Sequence, residues 1–393
     1  MKVQEDIYER LADALDALPH GFARTPSGVE IKLIKMAFTE DEVWLAGQLT
    51  RTPETAAAIA KRVGREEAEV TATLESLIPR RLVRLDSPGM AAPGLAPPVA
   101  GEKRYRLGPF LVGWYEANMR LLDKGFAELF EQFVIEGGGE RIFAPRPGVL
   151  GVVPVRGSLN PEYIEREPHL DIDAHLKRHD RFLVIDCVCK REIEVLHGHS
   201  CGKPMKRCGF VGLPPQTPLG ETVLDREEAS KLLTKLGKQG HVNLAFYGFT
   251  MGAESPQFVG TCNCCSCCCG VFHGQKLSGA AEGPQRSNYR AVVDPEPCSA
   301  CGACILRCPV DAIFEGPKRM PSVIAAPSQA VPELEPGKSV VDREKCIGCG
   351  VCVISCPTDA IRMEPVSEEE WFHVPSSMAE WEEMRLRNMA AQK

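Results

Sequence analysis

The feature that most constrains this chain is a 17-residue segment that occurs twice, 48 residues apart. The two copies are CSACGACILRCPVDAIF (298–314) and CIGCGVCVISCPTDAIR (346–362), and they are identical at nine of the 17 positions. Each copy carries four cysteines in the spacing C-x-x-C-x-x-C-x-x-x-C-P. Any fold of this chain must therefore hold two matching sets of closely spaced thiols.

This spacing binds 4Fe–4S cubanes in bacterial two-cluster ferredoxins, where the fourth cysteine of each run binds the other cluster. Three cysteines at two-residue intervals can reach three irons of one cubane, whereas the chain continues too directly for the fourth to turn back. Zinc is the alternative, but four-cysteine zinc sites usually combine two separated C-x-x-C pairs. The repeat therefore predicts two crossed ligand sets, which are Cys298, Cys301, Cys304 and Cys356, and Cys346, Cys349, Cys352 and Cys308.

The 18 cysteines all lie after residue 186. In a reducing compartment such a density indicates metal binding more than disulfides. With 44% hydrophobic residues, 25% charged residues and a net charge of −7, the composition is that of a soluble globular protein, without the basic excess typical of nucleic-acid or anionic-membrane binding. No apolar run is long enough to span a bilayer, and the N-terminus lacks the apolar core of a signal peptide. We therefore expect a cytoplasmic protein with no membrane span.

Ten further cysteines precede the repeat, in two groups. They are Cys187, Cys189, Cys201 and Cys208, and then Cys262, Cys264, Cys265, Cys267, Cys268 and Cys269. A predicted strand at 182–186 runs into Cys187-Val188-Cys189, and in an extended C-x-C both sulfurs point to the same side. Three interpretations are open. The first group alone holds one further cluster with the second group beside it, or both groups hold two clusters or one larger non-cubane cluster, or the site is zinc or a redox dithiol.

The N-terminal segment predicts a helix, a turn, a second helix and a two-stranded hairpin, which is a winged-helix pattern. Thr39 is a predicted N-cap, helices are predicted over about 53–63 and 66–77, and a Pro/Gly-rich loop at 87–101 separates the two strands. The helix that would enter DNA carries four glutamates, Glu66, Glu67, Glu69 and Glu75, against the single Arg65. Phosphate repulsion therefore makes DNA an unlikely partner, and we expect a docking or homodimerisation module.

A long helix is predicted from 109 to 135, closed by glycines at 137–139, and short strands are predicted at 148–156 and 182–186. The expected fold class is multidomain α+β. Its parts are a winged-helix-like domain with the long helix (1–137), a central cysteine-rich α/β domain (138–290), a dicluster ferredoxin domain (291–365) and an acidic tail (366–393).

Nearly the whole chain resembles a group of multi-cluster ferredoxin proteins of anaerobic bacteria and archaea. The resemblance lies in PHGFARTPSGVEIKLIK (19–35), RYRLGPFLVGWYE (104–116), the cysteines at 187–208, NCCSCCC (263–269) and the two terminal motifs. It implies an electron-transfer role in anaerobic metabolism.

The expected function is that of an iron–sulfur electron-transfer protein or subunit. It would relay single electrons at low potential through two 4Fe–4S clusters and at least one upstream cluster to a redox protein partner. Two alternatives are a redox-sensing winged-helix transcription regulator and a reductase with catalysis in the 187–269 cysteine region. No catalytic residue is predicted, and an electron-transfer component of an oxidoreductase system is favoured over a stand-alone enzyme.

Overall fold

The computed structural model describes residues 6–85, 103–213, 215–246, 260–278, 283–316 and 337–391. Helices and strands occur throughout these ranges, so the expected mixed helix-and-sheet class is confirmed. Within the same ranges, no helix has both the length and the apolar composition needed to cross a membrane.

The N-terminal part consists of five helices and a small antiparallel sheet with the strand order β1-β3-β2. The elements are α1 (Ile7–Asp16), α2 (Val29–Ala37), α3 (Glu40–Ala46), β1 (Glu54–Thr55), α4 (Ala56–Val63), α5 (Glu67–Leu77), β2 (Val83–Leu85) and β3 (Arg104–Leu107). The predicted cap of α3 is confirmed, because the Thr39 hydroxyl accepts from Glu42 N while the Glu42 carboxylate accepts from Thr39 N. Helix α4 begins later than predicted, because Thr55 and not Thr52 caps it.

The single helix predicted over 109–135 is wrong. A π-helical turn (Phe110–Trp114), α6 (Tyr115–Ala117) and a 3-10 turn (Met119–Leu121) precede α7 (Lys124–Phe133). The buried Asn118 amide donates to the carbonyl oxygens of Trp114 and Arg80, and the Asp123 carboxylate caps α7 by accepting from Phe126 N. Short polar side chains thus replace helical hydrogen bonds here. Gly137 (φ 116°) bends the chain but does not end the helical region, since α8 (Gly139–Phe143) follows.

A six-stranded sheet with the order β4-β8-β9-β6-β5-β7 forms the centre of the molecule. Its strands are β4 (Leu150–Val153), β5 (Arg181–Asp186), β6 (Lys206–Leu213), β7 (Val223–Asp225), β8 (Val242–Phe246) and β9 (Gly260–Cys264). The helices are α9 (Pro161–Arg166), α10 (Ile172–Lys177), α11 (Val188–His197), α12 (Arg226–Lys238) and α13 (Gly270–Ser278). All neighbouring strands of this sheet pair antiparallel. The term α/β usually implies a parallel sheet, so in that sense the expectation of an α/β central domain is wrong.

The C-terminal part is built from two short antiparallel strand pairs and two helices. The elements are β10 (Tyr289–Val293), α14 (Ala303–Arg307), β11 (Ile313–Glu315), β12 (Ser339–Val341), β13 (Ile361–Pro365) and α15 (Met378–Ala391). Helix α15 belongs to the segment predicted as an acidic tail, but it packs on the body of the protein. Trp381 is completely buried there, and its indole N–H donates to Gly148 O at 3.1 Å.

One buried histidine beneath the central sheet gives a pH prediction. His175 is 1% exposed, and its Nε2 lies 3.3 Å from Phe210 O. Burial lowers the pKa of His175 to about 4, although the hydrogen bond to Phe210 acts in the opposite direction. The folded state therefore keeps this imidazole neutral, while the unfolded chain protonates it below about pH 6.5. Its contribution to stability is present above pH 6.5 and is lost as the pH falls towards 4.

At pH 5 this single group should lower the free energy of unfolding by about 2 kcal/mol relative to pH 8. We expect the His175→Gln variant not to show this decrease. The measurement is urea unfolding of the anaerobic protein at both pH values, followed by tryptophan fluorescence. The exposed His199 supplies the control His199→Gln, which should behave as the unsubstituted protein. An equal acid loss in His175→Gln would contradict the prediction.

Candidate metal centres

The strand pairing of the C-terminal part interleaves the two cysteine motifs. Val293 of β10 lies opposite Ile361 of β13. Cys298 comes five residues after that pair and Cys356 five residues before it along the chain. In the same way, Ile313 of β11 lies opposite Val341 of β12. Cys308 comes five residues before this pair and Cys346 five residues after it along the chain. The fold therefore carries the fourth cysteine of each motif to the first three of the other.

Two cavities lie where the motifs meet. The first is lined by Cys298, Cys301, Cys304 and Cys356. The second is lined by Cys308, Cys346, Cys349 and Cys352. Apolar side chains such as Val293 and Ile361 line the first, and Val310 and Ile313 line the second. The structure thus brings together the two crossed sets that the spacing predicts, in largely apolar surroundings.

A turn after each fourth cysteine supplies a backbone donor to its sulfur. Ala312 N donates to Cys308 Sγ at 3.2 Å, and Ala360 N donates to Cys356 Sγ at 3.3 Å. The preceding Asp311 and Asp359 have φ values of 53° and 52°, a left-handed conformation that aspartate tolerates better than most residues. The repeated Asp-Ala pair was visible in the sequence, but its role was not recognised.

The two motifs differ in their surroundings. Cys301 in the first motif is exposed, whereas Cys349 at the equivalent position of the second is buried. Gly348 of the second motif has a φ of 72°, and a Cβ there would lie 2.1 Å from both Ser287 Oγ and Tyr289 O. Only glycine allows this close approach. The second motif is therefore seated against the body of the protein, and the first faces outward.

Upstream, four thiols form one compact group. The sulfurs of Cys201, Cys265, Cys267 and Cys268 all lie within 4.8 Å of one another. Cys201 comes from the loop after α11, and the other three come from the turn that follows β9. The buried Lys190 ammonium fixes the loop by donating to the carbonyl oxygens of Cys201 and Lys203. The structure therefore groups Cys201 with these three cysteines, whereas the first interpretation of the sequence groups it with Cys187, Cys189 and Cys208.

The other six upstream thiols lie together in a second group, which we call the six-thiol ring. Each thiol lies close enough to two others of the group for the neighbours to shift its pKa. The Cys208 and Cys262 sulfurs, for example, are 3.3 Å apart. In order around the ring, the members are Cys187, Cys189, Cys269, Cys264, Cys262 and Cys208.

The extended C-x-C predicted at 187–189 is not found there, but a different pair of cysteines has this geometry. Cys187 ends strand β5 and caps α11, so that Cys189 lies in the first helical turn. The C-x-C on a strand is Cys262 and Cys264 on β9, whose sulfurs point to the same side because side chains alternate along a strand. The helix start still brings the sulfurs of Cys187 and Cys189 into contact, by a different geometry.

Arg207 is a site residue that the sequence analysis missed. Its side chain is completely buried, and its Nη2 donates to Cys187 Sγ at 3.4 Å. Its Nη1 donates to His241 Nε2 at 2.9 Å, which leaves the His241 Nδ1–H to donate to Leu236 O. Burying a guanidinium is costly unless its charge and donors are compensated, and thiolates beside Arg207 would compensate them. The signal available was a lone arginine directly before Cys208 in a strand.

A buried carboxyl lies close to the same ring. The Tyr115 hydroxyl donates to Glu192 Oε2 at 2.8 Å. Burial raises the pKa of Glu192 to about 8, although the hydrogen bond from Tyr115 acts in the opposite direction. Glu192 therefore carries a proton at neutral pH, beside a group of thiols.

The comparisons with known proteins bear on the repeat alone. Two segments, 291–314 and 339–362, match the family model of the 4Fe-4S binding domain, and they contain all eight cysteines of the repeat. No curated protein and no solved structure matches the chain. Eight thiols in two cavities with largely apolar walls, with backbone donors to two of the sulfurs, suit such clusters. The C-terminal part of this chain is therefore a 4Fe-4S binding domain.

Proposed function

We propose that this protein is an iron–sulfur electron-transfer protein or subunit with two 4Fe–4S clusters in the crossed cavities. A bound 4Fe–4S cluster supplies one-electron redox chemistry. The observation that carries the proposal is the pair of cavities, each lined by three cysteines of one motif and the fourth of the other.

The residues around the cavities would set the conditions for low-potential transfer. Apolar walls keep water from the sulfurs, and the Ala312 and Ala360 amides stabilise negative charge on Cys308 and Cys356. Hydrogen bonds and burial are the main means by which a protein tunes such potentials.

A third cluster is proposed at Cys201, Cys265, Cys267 and Cys268. The group supplies four thiols, the number that one cubane takes. Their separations below 4.8 Å also match the roughly 3.8 Å between sulfurs of a four-thiolate zinc site. Zinc, which also takes four thiolates, is the alternative occupant.

The contacts of the two motifs support a direction for transfer. The second motif touches the body of the protein, where Val351 packs near Gly240. The next residue, His241, accepts a hydrogen bond from Arg207, and Arg207 also donates to Cys187. The first motif faces outward with Cys301 exposed and Leu306 89% exposed. We therefore propose that the redox partner docks at the first motif and that the upstream thiols lie at the inner end of the path.

The N-terminal part is proposed to be a winged-helix-like docking or dimerisation module and not a DNA reader. The order of its helices and the strand order β1-β3-β2 support the winged-helix assignment. Basic side chains near its strands are engaged within the chain, since Arg80 pairs with Glu42, Lys103 with Glu75 and Arg106 with Glu382. In a gel-shift experiment with genomic DNA fragments at physiological salt, we expect no retardation. A specific shifted band would instead favour the transcription regulator.

The proposed function is tested by quantifying iron and acid-labile sulfide in the anaerobically purified protein, together with EPR of the reduced state. We expect at least about 8 iron and 8 sulfide per chain, with low-potential cubane signals. Four substitutions to alanine, at Cys298, Cys301, Cys346 and Cys349, should remove about 8 iron. A protein that contains zinc and no iron would contradict the proposal.

A further inference from the structure

The six-thiol ring is closed and is distinct from the four-thiol group. Cys264 belongs to the ring, and its neighbour Cys265 belongs to the four-thiol group. Likewise, Cys269 belongs to the ring and its neighbour Cys268 to the four-thiol group. The division arises because the chain leaves β9 after Cys264, turns through residues 266–268 and enters α13 at Gly270. Sequence neighbours are thereby directed to opposite sides of the turn.

We propose that the six-thiol ring is a separate site that binds a polynuclear iron–sulfur cluster through six cysteine thiolates. The inference deepens the proposed function, because it adds a fourth centre at the inner end of the path. The ring sulfurs come from the start of α11, from β6, from β9 and from the residue before α13. Four separate elements of the fold thus converge on one point.

The number of thiols decides what kind of centre fits. A single zinc or iron ion takes four thiolates, and so does a cubane. Six thiols in a closed ring exceed either requirement, whereas a cluster with more than one metal and several exposed coordination positions can use them all. Disulfides do not account for the ring, because each sulfur has two equivalent neighbours and the 3.3 Å between Cys208 and Cys262 is far beyond the roughly 2.05 Å of an S–S bond.

The charges around the ring favour a buried anionic cluster. The guanidinium of Arg207 contacts Cys187 directly. The N-terminus of α11 lies at Cys187 and Cys189, and that of α13 follows Cys269, so two helix dipoles favour thiolates there. Several thiolates in a largely buried setting need such compensation.

An unused donor distinguishes iron–sulfur from zinc. Among the described residues, the buried Nε of Arg207 has no hydrogen-bond acceptor, although the same guanidinium already serves Cys187 and His241. Inorganic sulfide in an iron–sulfur cluster accepts hydrogen bonds, and bare zinc ions offer no such acceptor. We therefore assign iron and sulfide to the ring.

The test counts iron, acid-labile sulfide and zinc in the full chain purified anaerobically. Two ferredoxin cubanes and one cubane at the four-thiol group account for about 12 iron, so we expect the unsubstituted protein to exceed about 12. The ring variant Cys262→Ala/Cys264→Ala should fall to about 12 iron. The matched control Cys265→Ala/Cys267→Ala should lose about 4 iron and keep the excess.

Mössbauer spectra of protein enriched in ⁵⁷Fe identify which iron is lost, and the EPR signals of the ferredoxin clusters show whether a variant is folded. Unsubstituted protein with about 12 iron or fewer and no zinc overturns the assignment, and this result needs no variant to fold. Zinc that disappears only from the ring variant also overturns it. Failure of the proposed function would appear separately, as iron content that does not respond to removal of Cys308.

Discussion

Alanine in place of Cys308 should remove the cluster held by Cys346, Cys349 and Cys352 and spare the one beside its own sequence neighbours. The reason is the cavity that Cys308 lines, which contains these three cysteines and not Cys298, Cys301 or Cys304. About 4 iron per chain should be lost. Cys356→Ala should have the mirror effect on the first cavity.

The different exposure of the two motifs shows which cluster remains. In Cys308→Ala the remaining ferredoxin iron lies beside the exposed Cys301, so a water-soluble chelator should extract it quickly. In Cys356→Ala it lies among the buried Cys346, Cys349 and Cys352, and extraction should be slow. Iron is measured by time-resolved chelation under nitrogen. If the two variants show the reverse order, each motif binds its own cluster and the crossed assignment is wrong.

Methionine in place of Arg385 should destabilise the whole protein by about 3–5 kcal/mol, because each buried acceptor that loses its donor costs about 1–3 kcal/mol. The Arg385 side chain is completely buried in α15. Its Nε donates to Pro19 O, its Nη1 to Pro145 O and Pro147 O, and its Nη2 to Ile142 O. One guanidinium therefore joins the C-terminal helix to the N-terminal helices, and methionine would leave four buried carbonyls without a donor.

The matched control for this variant lies half a turn away on the same helix. Arg387 is exposed and pairs with Glu383 at 3.3 Å across one helical turn. Because exposed pairs of this kind contribute about 0.3–0.5 kcal/mol, Arg387→Met should leave the protein nearly unchanged. Urea unfolding followed by circular dichroism compares the two. Equal stability of both variants would show that Arg385 is not required to anchor α15.

The repeat was predictable because its information is local. The spacing of Cys298, Cys301 and Cys304 is enough to identify a cluster-binding run, and the transfer of Cys308 to the other site follows from the short distance along the chain. Strand pairing between β10 and β13 then provides the geometry that the spacing requires.

The upstream site was not predictable in the same way. Cys201 and Cys265 are 64 positions apart, and their meeting depends on how β9 lies beside β6 and on one turn after it. Hydrophobic periodicity also failed at residues 109–135, because it cannot register that Asn118 and Asp123 compete for backbone hydrogen bonds. The position of Arg207 directly before Cys208 was the only local signal, and it does not show that the side chain is buried beside Cys187.

The interleaved strands of the C-terminal part have a consequence for synthesis of the protein. The first cavity needs Cys356 and the pairing of β10 with β13, so it cannot be completed until residues 361–365 have left the ribosome. The second cavity needs Cys308, which must wait for the later motif to emerge. A nascent chain released before Cys356 therefore carries seven or fewer thiols of the repeat and lacks the fourth cysteine of the first cavity. Delivery of iron to the first cavity must follow translation of both motifs.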